Sequence, residues 1–190
     1  KGVFEDSSTL RLEGSHPSIP DHQRLTFDHC VLATGSVPVM PPSFDIGSDR
    51  VMDSSAALAL ADIPKTMLVI GGGYIGLEMG TVYASLGSQV SVVELLDGLL
   101  MGADRDLVKP LEKRLQKLFE NRIYLSTKVG SLAEVDDQVE VTFEGGGKFG
   151  HERFDRVLVS VGRRPVTRGI GLENTKVQVD SRGFAICDAQ

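Results

Sequence analysis

The chain of 190 residues has little of several residue types whose abundance would mark other classes of protein. It contains no tryptophan and two cysteines, Cys30 and Cys187, and nothing in it resembles a C-x-x-C pair or a longer redox loop. Each cysteine lies in an apolar run typical of a strand. We therefore expect two buried, inert thiols in a protein of a reducing compartment.

Long apolar runs and excess positive charge are also missing. No apolar stretch approaches the roughly 18 residues that a membrane helix needs, and the N-terminus shows no signal peptide. The net charge of −6 argues against a nucleic-acid surface. The composition, 41% hydrophobic and 24% charged, predicts a soluble globular protein. We expect it in the cytoplasm, or in the mitochondrial matrix of a eukaryote, without nucleic-acid or membrane partners.

Histidine is scarce, and the four that are present form no metal-binding pattern. His151-Glu152 lacks the second histidine of a zinc motif. We expect His16, His22, His29 and His151 at the surface and predict no metal site.

A glycine-rich motif is the most informative feature that is present. The apolar run Met67–Ile70 predicts a strand and leads directly into Gly71–Gly76, which reads G-G-G-Y-I-G and opens a helical pattern. A second apolar strand, Gln89–Val93, ends at Glu94, 18 positions after Gly76. This spacing is close to the roughly 20 residues expected of a dinucleotide-binding βαβ unit. A glycine-rich turn that binds nothing is the alternative.

Each part of the motif has a physical role in such a unit. Gly71 allows a tight turn out of the strand, Gly73 allows a pyrophosphate to approach the helix N-terminus, and Gly76 lets the helix pack close to the sheet. Glu94 can accept hydrogen bonds from the adenosine ribose, and its charge would repel the 2′-phosphate of NADP. Because residues 95–102 contain no Lys or Arg, the sequence predicts NAD rather than NADP.

Periodicity predicts two helices after the glycines. The first ends at Gly87, and the second begins near Asp104 as N-cap, with Pro110 either kinking its first turns or marking its start. The apolar stripe of the first helix comprises Ile75, Met79, Val82, Tyr83 and Leu86. The apolar face of the second comprises Leu107, Val108, Leu111, Leu115, Leu118 and Phe119. Ile123–Ser126 follows as a third parallel strand.

After this strand, the pattern of apolar residues changes to one that predicts short strands. Leu132–Val135 and Val139–Phe143 predict an antiparallel hairpin around the turn Asp136-Asp137, and Arg156–Val161 returns as a buried strand. The predicted fold is therefore α/β. It is a Rossmann-like three-layer domain over residues 65–165, with a parallel sheet and an antiparallel β-meander.

The segments outside this domain do not by themselves predict a complete domain. Residues 1–30 carry loose strand signals at Leu10–Leu12 and Leu25–Phe27. Pro38–Pro42 marks a linker, and Ser54–Asp62 predicts a short helix.

An internal repeat relates the two parts of the chain. Residues 27–38 align with residues 154–165 at an offset of 127, sharing Phe, Asp, Gly and Pro around the same apolar run. Each copy is expected to end a buried strand at a glycine. If the second copy closes a dinucleotide-binding domain, the first closes a similar domain upstream. The alternative is that the two segments share a strand-and-turn pattern without common ancestry.

These residues together resemble the pyridine nucleotide-disulfide oxidoreductases, and within them the dihydrolipoamide dehydrogenases. The resemblance is carried by Val31–Pro38, Asp53–Leu58, Ile70–Gly80, Leu86–Val90, Val93-Glu94 and Val161–Pro165. The paired serines Ser54 and Ser55, with Glu94, favour the dehydrogenases over the glutathione and mercuric reductases. Tyr74 departs from this preference, because it resembles the gating tyrosine of glutathione reductase.

The resemblance implies two cofactors and the residues that bind them. NAD would be bound by Gly71, Gly72, Gly73, Tyr74, Ile75, Gly76, Glu78, Glu94, Val129 and Gly162. FAD, in the intact protein, would touch Thr34, Gly35 and Ser36. Val129 would flank the adenine, Gly162 the nicotinamide half, and Glu78 the nicotinamide and the flavin edge. An exposed carboxylate favoured by the helix dipole is the alternative for Glu78.

The resemblance also implies that the chain is part of a longer protein. Residues 1–62 would be the C-terminal part of a FAD-binding domain with a linker. Residues 63–166 would be the NAD-binding domain, and residues 167–190 a return segment toward the FAD domain. The family's FAD loop, redox-active cysteine pair and dimerisation domain have no counterpart here. We therefore expect no catalytic residue in this chain and no turnover by the chain alone.

The implied partners follow from the same resemblance. The parent would bind NAD(H), form a homodimer and assemble with a 2-oxo-acid dehydrogenase complex. Residues 1–52, whose strands lack obvious partners, predict self-association of the chain. A stand-alone NAD(H)-binding sensor or docking module is the alternative function.

Overall fold

The computed structural model describes residues 1–14 and 23–188. Its strands are β1 (Gly2–Phe4), β2 (Thr9–Leu12), β3 (Arg24–Thr26), β4 (Ser36–Pro38), β5 (Val51–Met52), β6 (Thr66–Ile70), β7 (Gln89–Val93), β8 (Ile123–Tyr124), β9 (Thr127–Val135), β10 (Gln138–Gly145), β11 (Gly150–Phe154), β12 (Arg156–Val159) and β13 (Arg163–Pro165). Its helices are α1 (Ser54–Leu58), α2 (Tyr74–Ser85), α3 (Arg105–Leu118) and a 3-10 turn at Leu172–Asn174. The chain divides into two compact units, Pro38–Gly162 and Lys1–Val37 with Arg163–Gln190.

The larger unit is built on a five-stranded parallel sheet in the order β5-β12-β6-β7-β8. The central strand β6 is buried on both faces, as its continuous apolar run predicts. Successive side chains of a strand point to opposite faces. Met67 and Val69 accordingly belong to one core cluster, and Leu68 and Ile70 belong to the other.

Different elements cover the two faces of this sheet. α2 and α3 cover one face through Leu77, Tyr83 and Leu115. The antiparallel sheet β11-β10-β9 covers the other through Val139 and Phe143, and it connects β8 to β12 along the chain. The predicted three-layer α/β fold with a β-meander is confirmed.

The larger unit begins earlier than the predicted start of the NAD-binding domain at residue 63. β5 pairs with β12, and both Met52 and Ala57 are buried in the core under the helices. The hydroxyl of Tyr83 on α2 donates to the carbonyl oxygen of Ala57 on α1, at 2.9 Å. Residues 38–62 therefore pack with this unit, because the edge of β12 and the side of α2 would otherwise be uncovered.

The face of α2 that packs on the sheet differs from the predicted stripe. Its buried residues are Gly76, Leu77, Gly80 and Tyr83. Val82 and Leu86, which the periodicity placed in the core, are exposed. A Cβ at Gly80 would lie 3.3 Å from the ring of Phe119, so the glycine is what lets the elements approach closely. Counting apolar side chains misses such a face because glycine contributes no side chain.

The second helix follows Asp104, as predicted, but only part of its apolar face is buried. Val108 and Leu115 are in the core, whereas Leu107 and Leu111 are exposed. The helix begins at Arg105, so Pro110 does not mark its start.

The remaining elements differ from prediction mainly in length. The hairpin strands β9 and β10 are longer than predicted, and they turn at Asp136 and Asp137, which both have positive φ. The third parallel strand, β8, and the short helix, α1, each end earlier than predicted. Short elements are fixed by their neighbours, and their ends are therefore the least predictable part of the pattern.

The smaller unit contains the antiparallel sheet β1-β2-β3 around Phe4, Ile170 and Leu172. The predicted strands near Leu10–Leu12 and Leu25–Phe27 are present as β2 and β3. In the same unit, β4 pairs with β13. These two strands are the matching ends of the sequence repeat.

The first copy of the repeat does not form the predicted buried strand. Residues 27–35 contain no strand, and the side chain of Val31 is 90% exposed, whereas the second copy forms β12 inside the sheet. Cys30 and Cys187 are exposed, so the prediction of two buried thiols is wrong. β12 is covered because it lies between β5 and β6, while the run around Val31 pairs with no described strand.

Candidate cofactor site

The candidate site lies where β6, β7 and β12 end at one edge of the parallel sheet. Gly71 follows β6 with φ of +109°, and a Cβ there would lie 2.6 Å from the carbonyl oxygen of Ser160, which follows β12. The predicted tight turn at Gly71 therefore requires glycine for two reasons, its backbone conformation and its close neighbour.

The third glycine of the motif stands at the open N-terminus of α2. Gly73 is the N-cap residue and has no side chain with which to cap the helix. The first hydrogen bond of the helix runs from the N–H of Leu77 to the carbonyl oxygen of Gly73, at 3.0 Å. The N–H groups of residues 73–76 precede that bond and have no intrahelical acceptor. A Cβ at Gly73 would meet no atom within 4 Å, so the space beside the Cα of the N-cap residue is open.

Gly76 has the packing role predicted for it. A Cβ at this position would collide with the carbonyl oxygen of Gly71 and would lie 2.5 Å from the hydroxyl oxygen of Ser160. That hydroxyl donates to the carbonyl oxygen of Ile70 at 3.0 Å. The first turn of α2 therefore rests directly on the ends of β6 and β12.

Glu94 holds the glycine turn from the end of β7. One carboxylate oxygen accepts from the N–H of Gly72 at 2.6 Å, and the other accepts from the N–H of Leu96 at 2.8 Å. Each carboxylate oxygen has a second lone pair. The group can therefore still accept a hydrogen bond from a hydroxyl at the mouth of the turn.

The sequence patterns missed a loop that closes over the same turn. Leu99 is 1% exposed, and its side chain occupies the space beside the Cα of Gly72. The N–H of Leu100 donates to the carbonyl oxygen of Gly72 at 3.0 Å. Arg105 donates to the carbonyl oxygens of Leu99 and Leu100. No repeat or spacing marks these contacts, because they depend on where the loop folds back.

The other residues predicted to bind NAD lie in the same unit in varied settings. Tyr74 and Glu78 are exposed on the first turns of α2, and Gly162 has φ of +143° with open space beside it. The side chain of Val129 is 7% exposed and belongs to the core between the sheet and the meander. A contact between Val129 and an adenine would therefore come from its backbone.

The residues predicted to touch FAD belong to the smaller unit. The hydroxyl of Thr34 donates to the carbonyl oxygen of Val166 at 2.6 Å, and the N–H of Val166 donates to Gly35 at 3.0 Å. The guanidinium of Arg163 donates to the hydroxyl oxygen of Ser36 at 2.7 Å. All three predicted residues are exposed, and Gly35 has φ of +74°.

Within residues 1–14 and 23–188, no three or more His, Cys, Asp or Glu side chains form a group that could hold a metal ion. In that part of the chain, no helix combines the length and apolarity that crossing a bilayer requires. His29 and His151 are exposed, as predicted, while His16 and His22 lie outside the described residues.

The comparisons with known proteins identify the family of this chain. The family model described as pyridine nucleotide-disulphide oxidoreductase matches residues 2–190. The chain belongs to this family. A solved member of the wider group, the HOCl-induced flavoprotein disulfide reductase RclA from Escherichia coli, superposes with a TM-score of 0.81 at 27% identity, covering 99% of this chain and 41% of that one.

Similar curated members of the family are named dihydrolipoyl dehydrogenase. The protein of Haemophilus influenzae is 41% identical over 190 residues, covering 99% of this chain and 38% of that protein. The protein of Geobacillus stearothermophilus is 37% identical over 190 residues, covering 100% of this chain and 39% of that protein. The mitochondrial protein of Dictyostelium discoideum is 43% identical over 157 residues, or 80% of this chain and 32% of that protein. The chain therefore spans less than two fifths of the length of these relatives.

Proposed function

We propose that this chain is the NAD(H)-binding part of a dihydrolipoyl dehydrogenase-like flavoprotein. The observation that carries the proposal is the open N-terminus of α2 at Gly73, with the Glu94 carboxylate fixed beside the same glycine turn. Uncapped N–H groups and the helix dipole favour a pyrophosphate, and an acidic residue at the end of the next strand suits a ribose hydroxyl.

Glu94 also supports NAD as the cofactor rather than NADP. Its carboxylate would face the ribose 2′ position, where a phosphate would add two like charges at short range. The nearest cation along the chain is Arg105, and two of its three guanidinium nitrogens, Nε and Nη2, donate to backbone carbonyl oxygens of the loop.

The remaining predicted residues complete the proposed NAD site. Tyr74 and Ile75 would flank the pyrophosphate on the first turn of α2. Val129 would contribute its backbone to the adenine, and Gly162 would leave room for the nicotinamide half. Glu78 would lie toward the nicotinamide and the flavin edge.

The smaller unit is proposed to belong to the FAD-binding part of the parent, with Thr34, Gly35 and Ser36 as the contact residues. Support comes from the family and from their exposed position. In the parent reaction, dihydrolipoamide and NAD would give lipoamide and NADH by way of FAD and a redox disulfide. The nicotinamide, when bound, supplies the hydride acceptor, and this chain's residues position it.

The chain alone is expected to be inactive, because Cys30 and Cys187 do not form the closely spaced pair that a redox disulfide needs. Lipoamide-dependent formation of NADH by the purified chain would contradict this expectation. The free, exposed thiols support a reducing compartment, the cytoplasm or the mitochondrial matrix.

The proposed partners follow from the family rather than from a surface in this chain. They are a homodimeric parent and a 2-oxo-acid dehydrogenase complex. The described strands of residues 1–52 pair within the chain, in the sheet β1-β2-β3 and as β4 with β13 and β5 with β12, so the predicted lack of strand partners is wrong. Self-association through residues 1–52 is supported instead by the exposed apolar side chains of Leu25 and Val31. A monomeric sedimentation profile at high concentration would contradict it.

The decisive experiment is calorimetric titration of the chain with NADH and with NADPH. NADH is expected to bind with micromolar to millimolar affinity and NADPH clearly more weakly. In the Glu94→Gln variant the affinities for NADH and NADPH are expected to become more similar, because the charge that repels the 2′-phosphate is removed. Glu173→Gln, which alters an exposed carboxylate of the smaller unit, serves as the control. If the unsubstituted chain bound NADH and NADPH with equal affinity, the assignment of NAD over NADP would be contradicted. If it bound neither dinucleotide, the proposed site would be contradicted.

A further inference from the structure

The peptide group between Gly72 and Gly73 has a fixed orientation. Its carbonyl oxygen, that of Gly72, accepts from the N–H of Leu100 at 3.0 Å. The preceding peptide is held as well, because the N–H of Gly72 donates to Glu94 at 2.6 Å. In a trans peptide the N–H points opposite to the C=O. The hydrogen bond from Leu100 therefore directs the N–H of Gly73 away from Leu100 and its loop.

Arg105 holds the loop that makes this hydrogen bond. One guanidinium nitrogen, Nη2, lies 2.7 Å from the carbonyl oxygen of Leu99 and 2.8 Å from that of Leu100. Nη2 is also 3.4 Å and Nε 3.3 Å from the carbonyl oxygen of Ala103. The several donors of a planar guanidinium suit such a set of converging carbonyl oxygens.

The local helix does not account for this arginine. Arg105 is the first residue of α3, where the helix dipole disfavours a cation. Its exposed position also excludes a role in the core. The side chain of Arg105 holds residues 99–103 together by donating to three of their carbonyl oxygens. This loop places Leu99 and Leu100 in contact with Gly72.

We infer that Arg105 is a positioning residue of the dinucleotide site. Through the loop it fixes the carbonyl of Gly72, and thereby aims the N–H of Gly73 at the pyrophosphate. The inference rests on the proposed function and adds to it a residue that never touches the cofactor. Because Nε and Nη2 donate to the loop, the arginine contributes to affinity for the diphosphate through the Gly73 N–H.

The test compares three variants of the 190-residue chain. Arg105→Met removes the guanidinium and keeps an aliphatic side chain. Arg105→Lys retains a charge that reaches fewer carbonyl oxygens. Arg114→Met removes an exposed arginine from the same helix and is the matched control. Amide hydrogen exchange of Leu100 is followed by NMR, alongside titrations with NADH, ADP-ribose and adenosine and a thermal unfolding curve.

Arg105→Met is expected to speed the exchange of the Leu100 amide and to shift the Gly73 amide resonance. Its affinity for NADH and ADP-ribose is expected to fall about fivefold, the equivalent of one weakened hydrogen bond. Affinity for adenosine, which has no phosphate, is expected to stay unchanged. Arg105→Lys should be intermediate, and Arg114→Met should match the unsubstituted chain.

The outcomes separate this inference from the proposed function. NADH binding and Leu100 exchange that are both unchanged in Arg105→Met would overturn the inference alone. An equal loss of affinity for adenosine and ADP-ribose would also overturn it, since the effect would then be general loosening of the fold. Failure of the unsubstituted chain to bind NADH or ADP-ribose would overturn the proposed function and, with it, this role of Arg105.

Discussion

At the scale of single residues, the glycines of one motif have different and separable roles. Gly71 and Gly76 are required by the fold, since a Cβ at either would meet the backbone or side chain of a neighbouring element. Gly73 is different, because its φ is −80° and open space lies beside it. The structure therefore gives no folding reason for glycine at position 73, and the close approach of a pyrophosphate stays the proposed reason.

This difference predicts opposite outcomes for two alanine variants. Gly76→Ala is expected to lower the free energy of unfolding by about 1–3 kcal/mol, the usual cost of overpacking. Gly73→Ala is expected to unfold like the unsubstituted chain and to lose most of its affinity for NADH, because its Cβ would occupy the space proposed for the pyrophosphate. Urea unfolding and calorimetric titration of both variants check this. NADH affinity that survives Gly73→Ala would contradict the proposed place of the pyrophosphate.

At the scale of elements, one carboxylate joins three strands. Asp155, at the start of β12, accepts from the N–H of Thr66 on β6 at 2.9 Å and from the side chain of Gln138 on β10 at 2.9 Å. Burial by itself raises the pKa of Asp155, but the hydrogen bonds from Gln138 and Thr66 outweigh it and hold the pKa of this carboxyl below its ordinary value.

The lowered pKa predicts an acid-sensitive fold. Because the pKa of Asp155 is lower in the folded than in the unfolded state, its carboxylate stabilises the fold above about pH 4. This contribution is lost as the pH falls through the folded-state pKa. Asp155→Asn is expected to lower the free energy of unfolding by about 1–2 kcal/mol at pH 7. The NH2 group of the asparagine cannot accept a hydrogen bond, so either the N–H of Thr66 or the side-chain amide of Gln138 would lose its acceptor.

Urea unfolding between pH 3 and pH 7 measures this effect. Stability of the Asp155→Asn variant should depend less on pH below about pH 5 than that of the unsubstituted chain. Asp28→Asn is the matched control, because Asp28 holds the equivalent place in the sequence repeat and is exposed. Identical pH profiles for all three proteins would show that the carboxylate does not join the strands as described.

At the scale of the whole molecule, the candidate NAD site and its supporting loop lie within one compact unit, residues 38–162. This unit includes β5 and α1, which the predicted boundary at residue 63 would leave out. Met52 and Ala57 contribute to its core, and Tyr83 bonds to α1. The unit should therefore depend on residues 38–62 for its stability.

Two truncations test this dependence. A chain of residues 38–162 is expected to unfold cooperatively and to bind NADH within about threefold of the 190-residue chain, a difference below 1 kcal/mol. A chain of residues 63–162 is expected to be markedly less stable, because it exposes one edge of β12 and part of the core under α2. Thermal unfolding and NADH titration measure both properties. Equal stability of the two truncations would support the predicted boundary at residue 63 instead.

The site was predictable from sequence to the extent that it depends on local geometry. The strand, turn and helix at Gly71–Gly76, and the acidic end of the next strand at Glu94, are fixed by neighbours along the chain. Arg105 and Ser160 were not predicted, because their contacts with the glycine turn arise only when distant segments meet. The roles assigned to these residues in binding NAD stay predictions.

By itself, the sequence determined the parallel sheet, its meander and the place of the glycine turn, because backbone propensity and alternation act over a few residues. Only the tertiary structure decided which strands are covered. The same apolar repeat is buried at β12, between two strands, and exposed at Val31, which pairs with no described strand. Burial is a property of neighbours rather than of residue type, and the same reason explains the exposed cysteines and the glycine face of α2.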